Sequence, residues 1–179
     1  MSSLGTISAT LGGALVLLAS AATAQAAPSS CPDADEVVVA EAVDRAAAVV
    51  GCVIDEERAK RGRPRLREQG QLERAAERHA RDMVRRRYFS HTTPEGRTFD
   101  ERLQPYTRGF EWTVGETLGW GRRSGATPEQ IVRAWLASPS HRRVLLDPDY
   151  RDVGIGVAPG LPLSTDPGAT FAVDYGLRR

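Results

Sequence analysis

His79, His91 and His141 are all the imidazole in this chain of 179 residues. Histidine titrates near neutrality and is the commonest side-chain metal ligand, so acid–base or metal chemistry through imidazole must use these three. Their contexts differ. His79 lies on the apolar side of an amphipathic stretch, between Leu72 and Met83, and reads as a satisfied, half-buried helix residue. His91 follows Tyr88-Phe89-Ser90 and enters a loop marked by Pro94 and Gly96, where the neighbouring aromatics can orient it. His141 comes after Ser138-Pro139-Ser140, just past a helix end, and fits a capping or surface residue as well as a ligand. One carboxylate stands out, Glu116, set between Gly115 and Thr117 in a stretch with few charges. Taken alone, the spacing of His91, Glu116 and His141 matches no compact metal signature such as HExxH.

Nucleophilic chemistry has less to draw on. Both cysteines, Cys31 and Cys52, sit near the N-terminus and away from the histidine loops. Ser90 with His91, or Ser138 with His141, are the Ser-His candidates. Residues so close in sequence rarely reach triad geometry, and no orienting acid accompanies either pair.

The elements that must hold these residues follow from hydrophobic spacing. From Glu36, apolar residues from Val39 to Ile54 recur at three- and four-residue steps, predicting a helix that Gly62 and Pro64 end. A second helix is expected over about 68–87, with Leu72, Ala75, Ala76, His79, Ala80 and Met83 on one face. A short helix is expected over 98–103, then loop plus short strand through the Gly- and Trp-rich 107–125. Thr127-Pro128-Glu129-Gln130 opens a further helix with an N-cap Thr and Pro at its first position; it stops near Ser138-Pro139. The β-branched and aromatic runs 153–157 and 170–176 read as strands joined by the loop 160–168. Helices first and strands last, without βαβ alternation, indicate an α+β fold with an antiparallel sheet.

Charge and targeting bound the function. Twenty-four basic residues against 23 acidic ones give a net charge of +1, which argues against nucleic acid as a main partner. The apolar run 11–24 is far shorter than the roughly 20 residues of a membrane span, and ends in Ala24-Gln25-Ala26, a small-x-small cleavage pattern. Residues 1–26 are therefore expected to be a signal peptide, although they contain neither Lys nor Arg; retention as an anchor is the alternative. A leader, 27–35, and one domain, 36–179, follow. An even cysteine count in an exported chain points to a Cys31–Cys52 disulfide clipping the leader to the first helix. Closing a loop of about 20 residues stabilises by roughly 3 kcal/mol. With no heptad or long apolar stripe left over, a monomer is expected.

Four blocks, in order, resemble the bacterial branch of the CAP superfamily (the SCP domain), which groups cysteine-rich secretory proteins, insect venom antigen 5 and plant pathogenesis-related proteins. They are Leu72-x-x-Ala75-Ala76-x-x-His79-Ala80-x-x-Met83 with Tyr88-Phe89-Ser90-His91-x-x-Pro94-x-Gly96; Val114-Gly115-Glu116-Thr117-Leu118; Trp135-x-x-Ser138-Pro139-x-His141-Arg142; and Tyr150-x-x-Val153-Gly154-Ile155-Gly156-Val157 with Tyr175-Gly176. The resemblance implies a three-layer α-β-α sandwich with a central antiparallel sheet and a large cleft. In many members the cleft gathers two His and two acidic residues able to bind a divalent metal such as zinc. Carried over, these are His91, Glu116 and His141; the fourth position is Ser138, so that acid is missing, and Thr117 replaces the usual Asn. The favoured reading is a secreted, non-catalytic binding module with a metal-capable cleft and a lipid or an extracellular protein or peptide as ligand. Phe110, Trp112, Leu118 and Trp120 are the candidate apolar lining. The rival is a metal-dependent hydrolase of peptide or cell-wall substrates, in which a zinc held by the trio would lower the pKa of bound water towards about 7.

Overall fold

The long helices bury the faces that their apolar spacing dictates. The computed structural model describes residues 29–179, so the expected signal peptide lies outside the described residues. Helix α1, Val43–Ala59, buries Ala46, Val50, Val53 and Ile54. Helix α2, Gly70–Arg86, buries Leu72, Ala75, Ala76, His79, Ala80 and Met83, the predicted face. Short helices α3, Phe99–Arg102, and α4, Gln104–Thr107, follow, the first opened by a capping box between Thr98 and Glu101. In α5, Pro128–Ala137, Thr127 Oγ1 accepts from the Gln130 N–H at 3.2 Å and Pro128 takes the first turn, as expected. Helix α6, Pro139–Leu145, follows directly.

The sheet has four strands in the order β1-β3-β4-β2: β1 Arg67–Glu68, β2 Trp112–Arg122, β3 Asp152–Pro159 and β4 Gly168–Arg178. Strand β4 pairs antiparallel with both β2 and β3, while the two-residue β1 adds a parallel edge. Odd-numbered strand residues, among them Val153, Ile155, Val157, Phe171, Val173 and Tyr175, pack with α1 and α5 in the main core. Even-numbered ones, among them Leu118, Ala158 and Ala172, meet α2. Large apolar side chains thus fill one face. The other carries small and polar residues, and the backbone of α2 lies so close that a Cβ on Gly154 or Gly156 would collide with it. The result is an α+β, three-layer α-β-α sandwich.

Three expectations change. The first helix starts at Val43, not Glu36, because the segment before it is drawn into extended structure: Val38 N–H donates to the Ala126 carbonyl at 2.9 Å, and Val39 is extended. The stretch expected as loop plus short strand is an eleven-residue strand, β2. Its glycines serve close packing rather than turning, since Gly119 lies against the Trp135 indole. His141 follows the end of α5 as expected, but it lies in the first turn of a further helix, α6, that the spacing did not predict.

Candidate functional site

The loop carrying His91 is fixed from both sides. Helix α2 ends at Arg87, left-handed at φ 56° and ψ 53°, whose N–H returns to the Met83 carbonyl. His79, buried at the base of the loop, donates Nε2–H to the Ser90 carbonyl at 2.9 Å. Burial pushes the His79 pKa down, which keeps that ring neutral at pH 7. Arg102, at the end of α3, donates from Nη1 to the His91 carbonyl at 2.6 Å. The His91 side chain is 52% exposed and donates Nδ1–H to Glu116 Oε1 at 2.7 Å.

Glu116 lies on the α2 face of β2 with its side chain only 1% exposed. Its other oxygen, Oε2, accepts from Arg102 Nη2. Burial works against its ionisation, yet the His91 hydrogen bond and the Arg102 charge prevail and hold its pKa below the usual carboxylate value. Directly opposite in register stands Asp174 on β4, fully buried, neither oxygen of which has a hydrogen-bond partner among the described residues. Burial first, and the Glu116 carboxylate second, push the Asp174 pKa well up, so of the two carboxyls Asp174 is the one that favours its proton. The structure therefore joins His91 and Glu116 as expected, and adds Arg102 and Asp174. The sequence held one signal for these additions: Asp174 is the lone charged residue in the apolar run 169–176. Arg102 is one arginine among many and had none.

His141 projects from the first turn of α6, half-buried, with no hydrogen bond to its ring among the described residues. Burial lowers its pKa, and positive charge on nearby His91 lowers it further. The Ser-His pairs do not form: Ser90 Oγ accepts the Thr92 N–H at 3.1 Å, and Ser138 Oγ meets Ser140 Oγ at 3.2 Å. Of the candidate apolar lining, Leu118 is buried against α2, while Phe110, Trp112 and Trp120 are exposed. The donor set suits a cation in part. Both Glu116 oxygens are committed, whereas His91 Nε2 and the His141 ring remain open to a ligand. Among the described residues no three His, Cys, Asp or Glu side chains are grouped to hold a metal ion.

The cysteine-rich secretory protein family, CAP, has a profile that matches residues 53–173. This chain belongs to the CAP family. The curated relatives include two from Bacillus subtilis (strain 168). The chain is 33% identical to the uncharacterized protein YkwD over 101 residues, 56% of this chain and 37% of YkwD. It is 33% identical to the uncharacterized membrane protein YlbC over 79 residues, 44% of this chain and 22% of YlbC. It thus spans well under half the length of either. Among solved structures, an outer surface protein of Borrelia burgdorferi shares 28% identity at a TM-score of 0.63, covering 74% of this chain and 92% of that one. An extracellular SCP-domain protein of Bacillus anthracis shares the fold at 23% identity and a TM-score of 0.61, covering 74% of this chain and 40% of that one. In this CAP chain the profile spans His91, Glu116 and His141, along with Arg102. The disulfide expected of the leader is present, Cys31–Cys52, and no described helix is long and apolar enough to cross a membrane.

Proposed function

We propose that this chain is a non-catalytic ligand-binding CAP module of the bacterial cell exterior, whose cleft offers His91 and His141 to one divalent cation such as zinc. The observation that carries this reading is the commitment of Glu116. With one oxygen on His91 and the other on Arg102, it orients an imidazole, as carboxylates behind metal-bound histidines do, and is not free to act as a base on a substrate. Neither serine beside a histidine is poised as a nucleophile. A bound ion would supply a Lewis-acidic point for an anionic or carbonyl group of the ligand. The exterior location draws on the outer-surface and extracellular proteins that share the fold.

Calorimetric titration of chelator-treated protein with zinc tests this reading. One ion should bind, binding should vanish in His91→Ala and in His141→Ala, and Glu116→Gln should bind roughly 10–100-fold more weakly. Absence of binding in the wild type removes the cation. Chelator-sensitive turnover of a peptide or ester panel would establish the hydrolase instead. A lipid is the second ligand class, favoured by the exposure of Phe110, Trp112 and Trp120. Mass spectrometry of an organic extract of the purified protein checks it, and an empty extract rejects it.

A further inference from the structure

At the opposite edge of the sheet from β2, strand β3 is left half covered. Strand β1 pairs only with Asp152 and Val153, and no strand among the described residues pairs with the outer side of β3 beyond them. Gly160 N–H donates to the Gly168 carbonyl at 2.7 Å, which sets the even-numbered residues of β3 as those bonded to β4. Val153, of the odd set, faces outward and accepts from Gln69 N–H at 2.8 Å. Ile155 and Val157 therefore also turn their N–H and C=O groups outward. Neither finds a hydrogen-bond partner among the described residues, although Ile155 is only 9% and Val157 4% exposed, and of the two only Ile155 borders open space at this edge. Backbone groups buried to that depth are normally paired.

A groove runs over this edge. Its floor is Val153 to Ile155, one wall is Ala47 and Ala48 of α1, and the other is the first two turns of α2. It continues along α1 to Asp55, opposite Leu66 of the segment leading into β1. From Asp44 to Asp55 this is ~16 Å of helix at ~1.5 Å per residue, room for about five extended residues at ~3.3 Å each. Small residues keep it open: Gly154 and Gly156 admit the α2 backbone, and Gly51 lies against Ile155 on the other face. The rim is acidic. Asp44, Glu68, Glu73 and Glu77 line it, and among the described residues only Glu77 of these has an ion-pair partner, Arg81 at 2.9 Å. The neighbouring cations Arg65 and Arg67 are already paired, with Asp55 and Asp152.

We infer that this edge accepts an extended, basic peptide segment of a partner protein, added as a strand alongside β3. Its backbone pairs with Ile155. Alternate side chains point to the two walls, cationic ones to Glu68, Glu73 and Glu77, apolar ones to Ala47 and Ala48. This surface is separate from the histidine cleft and does not depend on what the cleft binds.

The probe is a labelled, end-capped hexapeptide of alternating lysine and valine, titrated by fluorescence anisotropy into the oxidised, full-length protein. It should bind and should slow hydrogen exchange at the Ile155 amide. N-methylating the alternate residues whose amides face β3 should abolish binding, whereas methylating the other set should not. Glu68→Lys with Glu73→Lys, both exposed residues without partners, should weaken binding roughly tenfold or more and leave the melting temperature unchanged. Equal binding of the glutamate–valine counterpart overturns the inference. So does binding that leaves this amide unprotected, and so does the absence of binding at millimolar peptide. An amide already protected in a free chain that sediments as a dimer would assign the edge to a second copy and overturn it likewise.

Discussion

Asp174 and Glu116 meet across β4 and β2, and folding moves their pKa values in opposite directions. For Asp174 the folded value lies above its ordinary 3.8. Its contribution to stability is complete below that pH and is lost as pH rises towards the folded value, because the native state must hold a proton that the unfolded chain releases. For Glu116 the folded value lies below its ordinary 4.5, so its contribution is present above that pH and is lost as pH falls through the folded value. Asp174→Asn removes the protonation cost and can donate an amide hydrogen to Glu116. It should therefore raise stability at pH 7 by about 1–3 kcal/mol, the cost of an unpaired buried polar group, and the gain should shrink as pH falls towards 4. Thermal melts at pH 4 and pH 7 check this; a variant that melts below wild type at pH 7 refutes it. At this scale the histidines and Glu116 were legible in the sequence. Their hydrogen-bond partners were not, because contact between residues on separate strands leaves no local spacing.

Helix α6 brings His141 to the site, and a buried arginine from α1 holds its far end. Arg58 donates from Nη1 to the carbonyls of Leu145 and Asp147 at 2.7 and 3.1 Å, and from Nε to that of Pro64 at 3.0 Å. Among the described residues no carboxylate pairs with it; its partners are backbone carbonyls at the α6 end and after α1. Arg58→Ala should cost at least ~3 kcal/mol in urea unfolding, since several buried carbonyls lose their donor. Arg58→Met should recover only the packing share of that loss. Close packing of α2 makes a parallel demand. Gly154→Ala would drive a methyl into the α2 backbone at Glu73. It should destabilise by about 1–3 kcal/mol or more, read by the same unfolding experiment. Helices α1, α2 and α5 were legible because one apolar stripe writes a 3.6-residue period. Strand β2 was not, because the glycines that mark turns elsewhere sit here under Tyr150 and Trp135.

Over the whole molecule, the Cys31–Cys52 bridge ties the first described residues to α1 across a sequence separation of 21. Replacing both with serine should cost on the order of 3 kcal/mol, a fall of roughly 6–12 °C in melting temperature. A glutamate-specific protease should then cut the segment before α1 first, after Glu36 or Glu41, which gel analysis of timed digests would show. With only two cysteines in the chain, the sequence alone settled that pairing. It also determined the α+β class, the order of α1, α2, α5, β3 and β4, the face that α2 buries and the blocks that carry His91, Glu116 and His141. Each of these is written in local period, in end signals or in residue counts. Only the tertiary structure decided that Glu116 is shared between His91 and Arg102, that Asp174 lies opposite it, and that no described strand pairs with the outer side of β3 beyond Val153. Those follow from register and from which strand neighbours which, and they arise when segments far apart in sequence are packed together.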